Sequence, residues 1–178
     1  MKLKTFMLMA FITTSTFAQE TEFKFSRDGL TDFIVTNYDG SAKDTYNRAL
    51  FWVKENNKKE YKVISSVENE KMTIEGGKEN FICSKAGGTT VCTYATFTIE
   101  ITFKDGKYKF DAVNVTEKAN NSINYVVHTL DDFSYYYDKD GSLKKYKDDV
   151  PVAYETLFNE LNKSLITFMD KKKKAENW

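Results

Sequence analysis

An alternating hydrophobic pattern in the middle of the chain predicts an antiparallel hairpin. Within Val91–Phe103 the side chains at positions 97, 99, 101 and 103 are apolar, and those between them are Thr or Glu. A period of two is typical of a strand with one face in a core and the other in water. The segment Lys104–Lys107 contains Asp-Gly, which accommodates the φ > 0 conformations of a tight turn. Apolar residues return at 108, 110 and 112, so we expect the partner strand there.

Two stretches with a period near 3.6 predict helices. Ser41, with Asp44 three residues later, is typical of a helix start, and apolar residues recur with helical spacing from Ala42 to Val53. A longer stripe follows Pro151, a residue that the first turn of a helix tolerates. Its apolar positions are Tyr154, Leu157, Phe158, Leu161, Leu165, Phe168 and Met169.

Shorter β-rich stretches complete the predicted order of elements. They cover residues 31–38, 61–67, 71–74, 81–83 and 125–130, and residues 133–137 and 143–146 are predicted to form a second hairpin. The polar segment 117–124 predicts a loop. Strand, helix, a run of antiparallel strands and a final helix indicate an α+β fold. We expect an antiparallel sheet with one helix after the first strand and a long C-terminal helix packed on one face.

The N-terminal residues have the three parts of a cleavable signal peptide. Two lysines begin it, an apolar run covers Phe6–Ile12, and small residues lead to Ala18. The run is well short of the ~20 residues that span a bilayer, and the first cysteine available for a lipid anchor is Cys83. We therefore expect residues 1–18 to be removed and the product to be periplasmic or extracellular, with no transmembrane and no lipid anchor. Residues 19–170 are predicted as a single domain, followed by a basic tail at 171–178.

Composition supports a packed domain and argues against nucleic-acid binding. Hydrophobic residues make up 41% of the chain and aromatic residues 15%, which is enough for a core. The 26 basic residues balance the 26 acidic ones, so the basic electrostatic footprint of a nucleic-acid binder is missing. The run Lys171–Lys174 fits a solvated helix end, where cations complement the helix dipole.

The two cysteines of the chain lie close together in sequence. Between Cys83 and Cys92 stands Gly87-Gly88, a turn signal that would place the cysteines on facing strands. In an oxidising compartment such a pair forms a disulfide if the register brings the two Cβ atoms together. Zinc is the weaker alternative, because two thiols and one distant histidine do not make a ligand set.

Two stretches of the chain resemble a known family. Ser41–Val53 reads Ser-Ala-Lys-Asp-Thr-Tyr-Asn-Arg-Ala-Leu-Phe-Trp-Val, and Lys104–Lys109 reads Lys-Asp-Gly-Lys-Tyr-Lys. Together they are similar to the Bacteroidota domain of unknown function 4468 family, which has a TBP-like fold. The resemblance covers residues 28–117 and leaves out residues 118–170, with the second hairpin and the terminal helix. It implies a helix-on-sheet fold and an envelope setting, and it implies no activity.

No motif in the sequence is specific enough to name a reaction, a cofactor or a metal site. His128 is the only histidine, and a lone histidine on a strand is more often structural than catalytic. Asp138–Gly141 is similar to the centre of a calcium loop, but the first and twelfth positions of that loop would lack acids. The pairs Gly76-Gly77 and Gly87-Gly88 lack the spacing of phosphate loops and are predicted as turns. We therefore expect no enzymatic activity, no cofactor and no metal.

The aromatic residues clustered after residue 132 are the one compositional feature that suggests a function. Phe133, Tyr135, Tyr137 and Tyr146 are a candidate contact face for a partner, because tyrosine combines apolar area with a polar tip. The alternative is structural, since tyrosine favours strands and covers sheet surface.

Three classes of function follow, in decreasing order of support. The first is a non-catalytic binding or interaction module of the cell envelope, with an envelope protein as partner. The second is a carrier of a small apolar ligand between sheet and terminal helix, in a cavity lined by Phe97, Ile99, Phe110, Leu161 and Phe168. The third is an enzyme, which would need polar groups converging around His128.

Overall fold

The computed structural model describes residues 21–56, 60–86, 88–119, 125–128, 130–145 and 149–176. The predicted signal peptide, residues 1–18, lies outside them. The elements in this part of the chain are β1 (Phe25–Ser26), β2 (Gly29–Leu30), β3 (Phe33–Asn37), α1 (Ala42–Glu55), β4 (Lys62–Val67), β5 (Lys71–Lys78), β6 (Cys83–Ala86), β7 (Thr89–Lys104), β8 (Lys107–Ala119), β9 (Tyr125–His128), a 3-10 turn (Ser134–Tyr136) and α2 (Asp149–Glu176).

The main sheet is antiparallel throughout, with the strand order β3–β8–β7–β5–β4. β6 pairs with the beginning of β7, and β9 pairs with the end of β8. The predicted hairpin is confirmed, since β7 and β8 pair with Phe103 opposite Tyr108 and Lys104 opposite Lys107. The predicted α+β class, with an antiparallel sheet and a long C-terminal helix, is confirmed as well.

The first helix follows the third strand, not the first. β1 and β2 form a separate hairpin of two residues each, too short to show a period in the sequence. α1 begins where it was predicted: the Ser41 hydroxyl oxygen accepts a hydrogen bond from the Asp44 amide at 3.1 Å. The turn between β7 and β8 also contacts this helix start, because the Asp105 carboxylate accepts a hydrogen bond from the Ala42 amide at 2.8 Å.

Both helices cover the same face of the sheet. Apolar side chains of β7 and β8 on that face, such as Ile99 and Phe110, are fully buried. α2 is fixed to the sheet by the Tyr108 hydroxyl, which donates a hydrogen bond to Asn162 Oδ1 at 2.8 Å. It also holds the N-terminal segment, because Asn159 exchanges hydrogen bonds of 2.8 and 3.0 Å with the backbone of Phe23.

Two local predictions after residue 116 differ from the structure, and a third is confirmed. β8 continues to Ala119, into the segment predicted as a loop. The second hairpin is reduced to one antiparallel bridge between Tyr137 and Leu143, which follows a 3-10 turn over Ser134–Tyr136. The helix end predicted at Lys171–Lys174 is confirmed, since α2 extends to Glu176.

Among the described residues, neither helix combines the length and the apolar character that crossing a bilayer requires.

Candidate functional site

An open cleft of about 380 Å³ lies between α2 and the end of the sheet where β5 pairs with β7. Four side chains from one face of α2 line it at positions i, i+3, i+4 and i+7: Leu157, Glu160, Leu161 and Ser164. This spacing places them side by side along the helix. The opposite wall comes from the sheet, with the rings of Tyr61 and Phe97 as its apolar part. The cleft therefore has an apolar floor between two secondary-structure layers.

Two consecutive glycines in β5 make room for the aromatic side of the cleft. A Cβ atom at Gly76 would stand 2.5 Å from Cζ of Phe97 and 2.7 Å from Cδ1 of Tyr61. A Cβ atom at Gly77 would stand 2.1 Å from the hydroxyl oxygen of Tyr94. The prediction of a turn at Gly76-Gly77 was wrong: both residues are paired within β5, opposite Phe97 and Thr96. Glycine inside a strand marks a close approach of neighbouring groups, and here those groups are three aromatic rings.

Tyr61 is a largely buried polar residue at the wall of the cleft. Its ring meets Phe97 edge to face, with centroids 5.6 Å apart, and lies 5.2 Å from the ring of Trp52. Only 8% of the residue is exposed, and its hydroxyl has no hydrogen-bond partner among the described residues, although it lies at the cleft wall. Burial, and secondarily the negative charge of Glu160, raise the pKa of Tyr61 to about 12. The hydroxyl is therefore neutral at physiological pH and available to a ligand.

Charged side chains form the rim of the cleft. Lys78 Nζ lies 3.3 Å from Glu160 Oε2, so this ion pair connects β5 to α2 across the mouth. Glu60 accepts a hydrogen bond from the Tyr94 hydroxyl. Burial and then this carboxylate raise the pKa of Tyr94 to about 12. Glu79 completes the described part of the rim, in which three carboxylates stand beside one ammonium group.

Glu60 is held in an unusual backbone conformation beside the cleft. Its φ of 59° lies in the left-handed region, which costs a residue with a side chain about 1 kcal/mol or more. The same side chain also borders a second hollow of about 370 Å³, which shares Tyr61 and Tyr94 with the cleft and extends to the Lys62–Glu75 ion pair. Glu60 and Tyr94 thus stand between two adjoining depressions.

The predicted aromatic contact face does not form as proposed. Phe133 was wrong as a contact residue: it is 1% exposed, because its ring packs against Phe25 and Tyr154 at centroid distances of 4.0 and 5.4 Å. Tyr135 is 66% exposed, whereas Tyr137 is half-buried. Tyr146 lies outside the described residues.

The residues predicted to line an apolar ligand cavity are divided between the cleft and the core. Phe97 and Leu161 line the cleft. Ile99 and Phe110 are 0% exposed and packed in the core, and Phe168 is half-buried beneath Lys172. His128 lies in β9 opposite Val115, and its side chain is outside the description. Among the described residues, no group of three or more His, Cys, Asp and Glu side chains is placed to hold a metal ion.

The two cysteines meet across the β6–β7 hairpin, as the turn signal predicted. Cys83 is directly opposite Cys92, with their Cα atoms 4.0 Å apart and their sulfur atoms 2.06 Å apart. Both are therefore at disulfide-bonding distance.

Sequence reasoning missed the cleft residues Glu60, Tyr61, Tyr94 and Glu160. Glu60 and Tyr61 directly precede β4, Tyr94 lies in β7, and Glu160 lies in α2, far along the chain from the other three. The one available signal was Gly76-Gly77, a small-residue pair beside a strand pattern.

Comparison with known proteins identifies the fold. Residues 34–118 match the family described as "Domain of unknown function (DUF4468) with TBP-like fold". A DUF4468 family protein from Bacteroides ovatus ATCC 8483 superimposes with a TM-score of 0.61 at 12% identity, covering 80% of this chain and 86% of its own. A TBP-like protein from Parabacteroides distasonis ATCC 8503 gives a TM-score of 0.51 at 14% identity, covering 78% of this chain and 90% of its own. No curated protein is significantly similar to the chain in sequence.

Proposed function

Because residues 34–118 match the DUF4468 family with a TBP-like fold, a family of unknown function, we propose a function from the cleft itself. The protein is a non-catalytic binding module of the cell envelope that takes a small ligand between β5, β7 and α2. The observation that carries this proposal is the open cleft of about 380 Å³, with the largely buried side chain of Tyr61 at its wall. Small-molecule sites typically occupy about 300–1,000 Å³ and combine apolar walls with a few polar groups.

The protonation states of the two tyrosines at the cleft favour a binding role over a catalytic one. A general acid or base works best with a pKa near the operating pH, whereas the pKa values of Tyr61 and Tyr94 are raised to about 12. Both hydroxyls therefore act as neutral hydrogen-bonding groups. Lys78 is engaged by Glu160, and Glu60 accepts a hydrogen bond from Tyr94.

The filled core favours a ligand at the surface cleft over one enclosed beneath the sheet. Ile99 and Phe110, which an internal carrier cavity would expose to its ligand, are fully packed. The envelope setting is supported by the predicted signal peptide and by Cys83 and Cys92 at disulfide distance, since disulfides persist in oxidising compartments.

A fragment screen followed by amide NMR tests the proposal. Neutral, cationic and anionic fragments are titrated into the labelled protein, and ligands of the cleft should shift the amides of Gly77 and Lys78. Replacing Ser164, on the α2 wall, with Phe fills the cleft and should abolish these shifts. The matched control is Thr167→Phe, which puts the same ring at an exposed position of α2 outside the cleft. The proposal is wrong if no fragment shifts these amides, or if Ser164→Phe binds like the parent.

A further inference from the structure

We infer that the ligand of the cleft carries a cationic nitrogen on a short apolar or aromatic body. This inference rests on the proposed function and concerns the chemical class of the ligand. It starts from the charges at the rim, where Glu60, Glu79 and Glu160 face the cleft and Lys78 is the only cation among the described lining residues. Lys78 is already paired with Glu160 at 3.3 Å. Among the described lining residues, carboxylates therefore outnumber cations.

A second, independent observation is the hydroxyl of Tyr61. The residue is more than nine-tenths buried and lies at the cleft wall, and its hydroxyl has no hydrogen-bond partner among the described residues. The hydroxyl oxygen itself is open to the cleft, since the fully buried side-chain polar atoms without a partner among the described residues belong to Tyr38 and Asp111. A ligand can therefore bind it in place of water. The phenolic oxygen can accept a hydrogen bond from an ammonium or guanidinium N–H, and the nearby Glu160 carboxylate can balance the charge of the same group.

The residues at the floor of the cleft determine the chemical character of the remaining part of the ligand. Phe97, Leu157 and Leu161 offer apolar contacts, and the Tyr61 ring is aromatic. An apolar body placed on this floor excludes water from the cation and strengthens its attraction to the rim and to aromatic faces. An anionic ligand would meet these carboxylates without compensation from the described lining residues, because the lysine among them is engaged.

Two sources can supply this chemistry: a free amine, or the basic side chain of a peptide on a partner protein. The test uses three probes of similar shape, namely phenethylamine, 2-phenylethanol and phenylacetate. Binding is followed by the amide shifts of Gly77 and Lys78 and by the fluorescence of Trp52, whose Nε1 donates a hydrogen bond to Ser164 Oγ at 3.1 Å. Trp178→Phe removes the other tryptophan from the signal.

Phenethylamine should bind about two- to fivefold more tightly than 2-phenylethanol, and phenylacetate should bind weakest, since partly exposed charge contacts have effects of that size. The preference should shrink in 0.5 M NaCl because salt screens the rim. Glu79→Gln should weaken the amine about twofold and leave the alcohol unchanged. Glu68→Gln is the control, since Glu68 lies in the β4–β5 turn at the other end of these strands.

Equal affinities for the amine and the alcohol, both lost in Ser164→Phe, overturn the cationic ligand and leave the binding cleft standing. Tighter binding of phenylacetate overturns it too. Absence of binding by all three probes also overturns it, and the wider fragment screen then decides separately whether the cleft binds anything. A blocked lysine tripeptide, compared with its norleucine analogue, distinguishes the sources: binding of the lysine form alone supports a partner's basic side chain, and binding of phenethylamine alone supports a free amine.

Discussion

The two faces of the central sheet are built on different principles. Under the helices, β7 presents Phe97, Ile99 and Ile101, all buried. On the opposite face the same strand presents Thr98, Glu100 and Thr102, which are half-exposed. There, ion pairs cross between strands: Lys71 with Glu100 at 3.2 Å, and Lys62 with Glu75 at 2.6 Å. One face thus holds the fold by packing, while the other is kept soluble by polar and charged side chains.

The candidate cleft lies where this division is least strict. At Gly76-Gly77, β5 has no side chain on either face of the sheet. Aromatic rings occupy the space on both sides: Tyr61 and Phe97 on the covered face, and Tyr94 on the open face. Polar and apolar groups therefore meet at this one end of the sheet. The comparison of the two faces shows that the proposed binding site lies where the division between packed and polar faces is locally broken. The following changes test that division.

The largest effect is expected from removing a ring on the covered face. Phe110→Ala should lower the free energy of unfolding by about 3–5 kcal/mol, because a fully buried aromatic side chain in contact with Phe23 is replaced by a cavity. Thr98→Ala, on the open face, is the control and should change it by less than about 0.5 kcal/mol. Urea unfolding followed by circular dichroism measures both. Similar losses for the two variants would contradict the division between faces.

A largely buried tyrosine on the covered face should make stability depend on alkaline pH. Tyr61 has a pKa of about 12 in the folded protein, against 10.0 for an unperturbed tyrosine. Below pH 10 both states keep the proton; between pH 10 and 12 the unfolded state loses it first, so the free energy of unfolding falls. The loss from this residue should approach about 2–3 kcal/mol by pH 12.

Tyr61→Phe isolates that contribution from the other buried tyrosines. Unfolding free energies at pH 8 and pH 12 should differ less in this variant than in the parent, by about 2 kcal/mol. An unchanged difference would show that the Tyr61 hydroxyl titrates normally.

Adding one methyl group at Gly76 should destabilise the protein by overpacking. Gly76→Ala places a Cβ atom against Phe97 and Tyr61, and the expected loss is about 1–3 kcal/mol. Gly40→Ala is the matched control, because its Cβ atom would stand 3.4 Å from the nearest atom, an ordinary contact with Thr45. Thermal unfolding of both variants measures the effect; equal midpoints would mean that the rings move aside freely.

The smallest effect is expected on the open face. A double-mutant cycle of Lys71→Ala and Glu100→Ala should give a coupling energy below about 1 kcal/mol, since exposed ion pairs are screened by water and salt. A coupling above about 2 kcal/mol would show that the open face also contributes to holding the fold.

Local patterns explain which parts of the fold were predictable. The β7–β8 hairpin and the start of α1 depend on side-chain alternation, on Asp-Gly and on a Ser41 cap, all within a few residues. The two stretches that resemble the family also contact each other, through Asp105 and the amide of Ala42. The match to the family over residues 34–118 confirms the resemblance, and the two stretches form one local arrangement.

The remainder depends on partners distant in the chain. Phe133 is buried by Phe25 and Tyr154, so the aromatic-rich segment that contains it serves the core instead of extending a hairpin. The cleft likewise joins Tyr61 and Tyr94 to Glu160 on α2. Sequence periodicity reports which face of an element is apolar, but it does not report which element will cover that face.

The hydrogen bonds from α2 to the sheet and to the N-terminal segment also have a consequence for biosynthesis. α2 is the last element of this fold in chain order, and it binds Tyr108 through Asn162 and Phe23 through Asn159. In a nascent chain that ends before Asp149, Tyr108 and Phe23 therefore lack these hydrogen bonds. The contacts that fix the sheet and the N-terminal segment to α2 form only after this helix has been synthesised.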